Sequence, residues 1–82
     1  MRDVMLKRVY KHFKGDYYLV EDVALSSDDI NLTYVIYRKL YGNGSLFIRE
    51  KSDFLGKVNK EKYPDVEQEY KFELQEIESK RK

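Results

Sequence analysis

The chain has 82 residues, of which 41% are hydrophobic, 38% are charged and 15% are aromatic, and its formal net charge is +1. This length supports one small domain with a thin core, and the lack of cysteine excludes disulfides, thiolate metal sites and a thiol nucleophile. The charge is too balanced for a dedicated duplex-DNA-binding protein, and no apolar run reaches the ~20 residues of a membrane span. The charged start predicts no signal peptide. We expect a cytoplasmic protein whose single domain covers residues 1–78, followed by a charged tail at 79–82.

Two strands are predicted in the first third of the chain. Val9–Phe13 alternates, with Tyr10 and His12 on one face. Gly15 and Asp16 then favour a turn. The second strand, Tyr17–Leu25, changes hydrophobic phase in its middle, at Glu21 and Asp22. Such a change of phase predicts a β-bulge.

A long hairpin is predicted next, after a polar loop at residues 26–29. It joins a strand at residues 30–41 to a second strand at residues 46–49 through a Gly-rich turn. A loop of three or five residues gathers the aliphatic side chains on one face, namely Ile36, Leu40, Leu46 and Ile48. The other face then carries Tyr37, Lys39, Tyr41, Phe47 and Arg49. We expect the aliphatic face to join the core and the aromatic and basic face to point outward.

The remaining third is less regular. Residues 52–58 predict one helical turn, with Ser52 as its N-cap and Phe54 as an apolar anchor. Tyr63-Pro64-Asp65 predicts a turn, and the alternation of residues 70–75 predicts a final half-buried strand. A helix over residues 67–82 is the alternative. Five short strands with one helical turn indicate a mainly β fold, a small SH3-like barrel.

The outward face of the hairpin is the candidate ligand site. Aromatic rings stack on nucleobases, and Arg and Lys neutralise phosphates, so this combination suits a nucleotide. The proposed ligand-binding residues are Tyr37, Lys39, Tyr41, Phe47 and Arg49, joined by His12 and Lys14 if the first strand packs alongside. The alternative is a cross-strand ladder without a ligand, in which Arg49 lies over Tyr37 and Lys39 lies over Phe47.

Catalysis has little support in the sequence. His12 is the single histidine, and no second histidine, cysteine, HExxH motif or phosphate-binding Gly-rich loop accompanies it. We therefore expect no catalytic residues, no bound metal and no cofactor.

Three linked motifs resemble a bacterial and phage domain family of unknown function. They are Tyr10-Lys11-His12-Phe13-Lys14-Gly15, Val35-Ile36-Tyr37-Arg38-Lys39-Leu40-Tyr41-Gly42 and Leu46-Phe47-Ile48-Arg49. The corresponding family patterns are Tyr-Arg-His-Phe-Lys-Gly, Val-Tyr-x-x-Leu-Tyr-Gly and Leu-Trp-Val-Arg-Pro. This chain has Phe47 in place of Trp and Glu50 in place of Pro. The resemblance implies a small β-barrel that occurs alone or attached to other domains, and it implies no activity.

The resulting hypothesis is a non-enzymatic binding module for an anionic, nucleotide-like small ligand. One form of it is a phage-type protein that sequesters a cyclic or signal nucleotide. Because one thin barrel provides little concavity, we expect a homo-oligomer whose subunits share the site. Two alternatives stay open: an SH3-like adapter that binds an extended peptide, and a single-stranded nucleic-acid-binding protein.

Overall fold

The computed structural model describes residues 3–76, which form one antiparallel sheet and one short helix. The elements are β1 (Val9–His12), β2 (Tyr17–Leu25), β3 (Thr33–Lys39), β4 (Leu46–Glu50), α1 (Lys51–Phe54) and β5 (Phe72–Leu74). The strand order is β4-β3-β2-β1-β5. The mainly β, five-stranded prediction is confirmed. No helix in the described range has the length and apolarity to cross a membrane. The predicted tail at 79–82 lies outside the described residues.

The sheet is not closed by a backbone ladder. β4 and β5 are its two edges, and no strand pairing joins them within residues 3–76, so closure into a barrel is not confirmed. The edges nevertheless meet through side chains: the guanidinium carbon of Arg49 on β4 lies 5.4 Å from the ring centroid of Phe72 on β5. The chain turns into α1 directly after β4, and β5 has only three residues. Backbone hydrogen bonds join the segment after α1 to the segment before β5: Lys71 N–H donates to the carbonyl of Gly56 at 3.0 Å, and Val58 N–H donates to that of Glu69 at 2.9 Å.

The predicted bulge in β2 is confirmed. Val20 pairs with Tyr37, whereas Asp22 pairs with Ile36, so Glu21 is the extra residue. β3 starts later than predicted, at Thr33. The reason is a turn in the preceding loop, in which residue 32 donates its N–H to the carbonyl of residue 29 at 2.9 Å. Val20, before the bulge, is buried, whereas residues 22–25 after it are exposed, so the bulge marks the end of the part of β2 that packs on the core.

The β3–β4 hairpin has the predicted odd-length loop. Lys39 N–H donates to the carbonyl of Ser45 at 3.1 Å, which leaves a five-residue loop between them. Gly42 and Gly44 adopt φ values of 57° and 67°, a left-handed backbone that favours glycine. Tyr37 is opposite Phe47 in this register, so the predicted grouping of side chains by face is confirmed.

The prediction of which hairpin face is buried was wrong. Tyr37 is only 5% exposed, whereas the aliphatic side chains opposite to it are open to solvent: Leu40 49%, Leu46 49% and Ile48 67% exposed. The aromatic face is covered because Phe54 of α1 and Phe72 of β5 each pack with ring centroids 5.5 Å from that of Tyr37. The rings of Phe54 and Phe72 therefore determine which face of the hairpin is buried.

The core lies between the sheet and the segment that follows β4. Its buried side chains are Tyr10, Val20, Val35, Tyr37, Phe54, Val58 and Phe72. Phe54 is the anchor of α1, as predicted, but the N-cap is Glu50 without a side-chain cap, and not Ser52. Residues 67–76 are not helical, so this part of the helical alternative is wrong.

Candidate functional site

A pocket of about 350 Å³ lies between the β1–β2 turn and the segment that follows α1. Its lining residues are His12, Phe13, Lys14, Arg49, Asn59, Lys62, Tyr63 and Lys71. Four of these side chains are cationic, three carry rings, and no carboxylate is among them. We call this the basic pocket.

The first wall of the basic pocket is the β1–β2 turn. His12 N–H donates to the carbonyl of Asp16 and Gly15 N–H donates to that of His12, both at 2.8 Å. Gly15 has a φ of 110°, which an L side chain rarely adopts. Phe13 N–H donates to the carbonyl of Lys71 at 2.9 Å and ties the turn to the segment before β5. The tight turn therefore places Lys14 at the rim.

The second wall is a turn at residues 59–63. The side-chain oxygen of Asn59 accepts the backbone N–H groups of Glu61 and Lys62 at 3.0 and 3.2 Å. Tyr63 N–H donates to the carbonyl of Asn59 at 2.9 Å. The ammonium of Lys60 donates to the carbonyl of Gln68 at 3.0 Å and also to that of Val66. This wall is thus shaped by local hydrogen bonds.

Three rings connect the two walls. The ring centroid of Phe13 lies 4.5 Å from that of His12 and 4.9 Å from that of Tyr63. His12 also meets Phe72 edge-on at 4.9 Å, which links this row to the core. The side chains of His12, Phe13 and Tyr63 are each half-buried. This row of rings provides a flat apolar surface beside the cationic side chains of the pocket.

Arg49 and Lys71 share one carboxylate beneath the pocket. Arg49 donates through Nε to the hydroxyl of Tyr37 at 3.2 Å and through a terminal nitrogen to Asp53, and the ammonium of Lys71 donates to the other oxygen of Asp53. The hydrogen bond from Lys71 is the main cause that lowers the pKa of the Asp53 carboxyl; partial burial opposes it and Arg49 reinforces it. One negative charge thus faces two positive charges.

The remaining two cations of the basic pocket have no acidic partner within residues 3–76. The ammonium of Lys14 lies 5.7 Å from the ring centroid of Tyr63, and that of Lys62 lies 5.5 Å from the same centroid. Contact with the ring face provides only part of the stabilisation that a carboxylate would give. The pocket therefore has unneutralised positive charge.

The pKa of His12 is lowered by this environment. Partial burial is the main cause, followed by the positive charges of Arg49 and Lys14; Asp16 opposes the shift and Lys71 adds to it. The ring nitrogen Nδ1 accepts the backbone N–H of Lys14 at 3.2 Å. In the neutral ring the proton is then on Nε2, which leaves a hydrogen-bond donor.

Three of the seven residues predicted as a site meet in the basic pocket: His12, Lys14 and Arg49. Tyr37 does not line it, because its ring is in the core and only its hydroxyl reaches Arg49.

The other three predicted residues form a separate cluster. The ammonium of Lys39 lies 5.1 Å from the ring centroid of Tyr41 and 5.8 Å from that of Phe47. The hydroxyls of Tyr18 and Tyr41 are hydrogen-bonded at 3.0 Å. The ladder alternative names two contacts: Lys39 with Phe47, and Arg49 with Tyr37, which here are joined by a hydrogen bond to the Tyr37 hydroxyl at 3.2 Å.

Five residues of the basic pocket were missed by the sequence analysis: Phe13, Asn59, Lys62, Tyr63 and Lys71. Lys62 and Tyr63 are adjacent in the chain, before the single proline, and this pairing of ammonium and ring was the available signal. Nothing in the sequence pointed to Lys71 as a site residue, since the alternation of residues 70–75 only placed it on the polar face of a strand.

A second cavity, of about 270 Å³, lies between the start of β3 and α1. Its charged lining residues are Glu50 and Lys51, which balance each other. The described residues contain no group of three or more His, Asp or Glu side chains placed to hold a metal ion. The basic pocket is thus the better candidate for an anion.

A family model described as "Protein of unknown function (DUF1653)" matches residues 8–74. This range includes β1 to β5 and every residue of the basic pocket. No curated protein and no solved structure matches the chain.

Proposed function

The chain belongs to the family described as protein of unknown function (DUF1653), and we propose that it is a non-enzymatic binding module for a small anionic ligand that carries a flat ring, such as a nucleotide. The observation that supports this most is the pair Lys14 and Lys62. Both ammonium groups lie over the ring of Tyr63 without a carboxylate partner in the described chain. A phosphate between these cations would neutralise both.

The size and chemistry of the pocket fit this ligand class. A volume of about 350 Å³ is near the lower end of the roughly 300–1,000 Å³ of small-molecule sites. A base stacked on Phe13 or Tyr63 would gain about 1–3 kcal/mol. Arg49 is held in place by Asp53 and Tyr37, so it loses little freedom when it meets a phosphate.

A binding role fits the surroundings of His12 better than catalysis does. The one hydrogen bond that its ring makes within residues 3–76 comes from a backbone N–H, and no carboxylate orients it. A general base normally has such a partner or a nucleophile within reach. We therefore propose capture or sequestration of the ligand, without turnover.

The experiment is a melting-temperature series with three probes: a nucleotide, the matching nucleoside, and pyrophosphate. The nucleoside has the ring without the charge, and pyrophosphate has the charge without the ring. We expect the nucleotide to raise the melting temperature most, because it uses both parts of the pocket. No rise with any probe at high excess contradicts the proposal.

Matched variants locate the effect. Lys14→Gln and Lys62→Gln each remove an unpaired charge from the pocket and should reduce the nucleotide-induced rise. Lys11→Gln removes the same charge from β1 on the opposite face of the sheet and should leave the rise unchanged. An equal loss in Lys11→Gln would indicate non-specific attraction, which is the behaviour expected of a nucleic-acid-binding surface.

A further inference from the structure

We propose that two copies of this chain pair through the free edge of β4, forming one continuous sheet across a two-fold axis. β4 covers Leu46–Glu50 and pairs on one side only, with β3. Leu46, Phe47 and Ile48 are 49%, 39% and 67% exposed. An exposed edge strand with apolar side chains is a template for another strand.

The free backbone groups of this edge can be assigned from the hairpin register. Lys39 and Ser45 are a hydrogen-bonded pair, and such pairs alternate along an antiparallel ladder. The N–H and C=O groups of Phe47 and Arg49 therefore point toward β3. Those of Leu46 and Ile48 and the N–H of Glu50 point away from it, whereas the C=O of Glu50, the N-cap of α1, accepts the first hydrogen bond of the helix.

The β4 strands of two copies pair in register when the two-fold axis passes beside Ile48. Ile48 then pairs with the same residue of the second copy, and the N–H of Glu50 meets the C=O of Leu46, so the free outward groups of Ile48 and Glu50 in both strands find partners. On the pocket side of the sheet, Phe47 comes opposite Arg49 of the other copy. On the other side, two exposed Ile48 side chains cover each other. The edge is thus complementary to itself.

This pairing also gives a closed assembly, a dimer. A two-fold contact between identical edges uses up both free strands and ends in a dimer, whereas β4 against β5 of another copy would continue into a fibre. The β4 edge has no proline and no bulge, which are two of the usual protections of an edge strand; its charged residues are Glu50, at its end, and Arg49, whose guanidinium is bonded to Tyr37 and Asp53. A second copy is therefore the occupant that the edge fits best.

The test is the oligomeric state, measured by sedimentation from low micromolar to near-millimolar protein. We expect a concentration-dependent dimer in the full chain. Ile48→Lys should abolish it, because two ammonium groups would face each other at the axis. Ile30→Lys is the matched control, since Ile30 is also exposed, at 75%, but lies in the β2–β3 loop. This variant should dimerise like the unaltered chain.

A backbone variant separates strand pairing from side-chain contact. Glu50 has a φ of −57°, which proline adopts without strain, so Glu50→Pro removes one outward N–H and leaves β4 in place. It should weaken the dimer, whereas Glu50→Ala should not. A monomer at all concentrations overturns the proposal, as does a dimer that survives Ile48→Lys. Capture of a different protein by the β4 edge of a monomeric chain would also overturn it.

Discussion

Phe54 and Phe72 stack face to face, with ring centroids 4.1 Å apart and ring planes inclined by 8°. One ring comes from α1 and the other from β5, so the contact joins the helix to the edge of the sheet most distant from it in strand order. Both side chains are at most 1% exposed. This stack holds the segment after β4 over the sheet, and the basic pocket depends on that segment.

Phe54→Ala should remove most of the stability of the domain. Replacing a fully buried phenylalanine by alanine costs about 3–5 kcal/mol, and small domains have only about 5–15 kcal/mol in total. Urea denaturation measures the free energy of unfolding. Phe47→Ala is the control, since this ring is 39% exposed and its loss should cost clearly less. Equal losses would show that the Phe54–Phe72 stack is not central.

Gly15→Ala tests the backbone strain of the β1–β2 turn. A Cβ at this position would meet no atom within 4 Å, so any cost comes from the φ of 110° and not from a clash. We expect a loss of about 1–3 kcal/mol in the free energy of unfolding. Nucleotide affinity should fall too, because the turn places Lys14. Asp16→Ala keeps the glycine, and a similar loss in that variant would contradict the explanation.

Binding of an anion should strengthen as the pH falls through the pKa of His12 in the complex and should level off only below the pKa of the free protein, which lies under the ordinary value of about 6.5. Partial burial and then the nearby charges of Arg49 and Lys14 lower the pKa of His12 in the free protein, and Lys71 adds to this. A bound anion favours the protonated ring, so its pKa rises in the complex and binding takes up a proton. Each unit of that rise gives up to about tenfold in affinity.

Calorimetry with a phosphodiester measures this pH dependence, because the charge of the diester is constant over the range. His12→Gln should bind with an affinity that is nearly independent of pH. The same slope in both proteins would assign the proton to another group.

Asp53→Asn should change the acid stability of the protein. The carboxyl has a lowered pKa in the folded state, mainly through Lys71, so its stabilisation is complete above the unfolded pKa of about 3.9 and is lost as the pH falls through the folded value. The variant should be less stable at neutral pH by about 1 kcal/mol, since the pair is partly exposed. It should also lose less stability on acidification. Asp28→Asn, in the exposed β2–β3 loop, should behave like the unaltered chain.

Local signals in the sequence located most of the strands and turns. The phase change at Glu21 and Asp22 marked the bulge, the Gly-rich segment marked a hairpin turn, and the grouping of the aliphatic side chains on one face indicated an odd-length loop. The bulge and the hairpin loop both depend on residues that are close in the chain, and such local structure is indicated by hydrophobic alternation and by turn residues. The third strand was placed too long because the hydrogen bonds that form the turn at residues 29–32 carry no periodic signal.

The buried face of the hairpin could not be read from the hairpin itself. Its two faces were separated correctly, but Tyr37 is buried by Phe54 and Phe72, which lie far along the chain. The seven predicted ligand-binding residues do not lie together, for the same reason. His12, Lys14 and Arg49 meet because the segment after α1 returns beside β1, and that segment contributes Lys62 and Tyr63. Local periodicity carries no information on such long-range packing.

The second wall of the basic pocket begins and ends at adjacent points of the framework. Val58 N–H donates to the carbonyl of Glu69 at 2.9 Å, and residues 59–68 lie between these two anchors. A surface loop whose ends meet can change in length at little entropic cost, about 0.6 kcal/mol for each doubling. The loop that forms this wall can therefore be exchanged for another loop. The side-chain N–H of Gln68 donates to the carbonyl of Lys11 on β1 at 3.0 Å, so this residue belongs to the framework. Replacing residues 59–67, while Val58, Gln68 and Glu69 are kept, should redirect ligand preference on an unchanged sheet, much as antibody loops do on their scaffold.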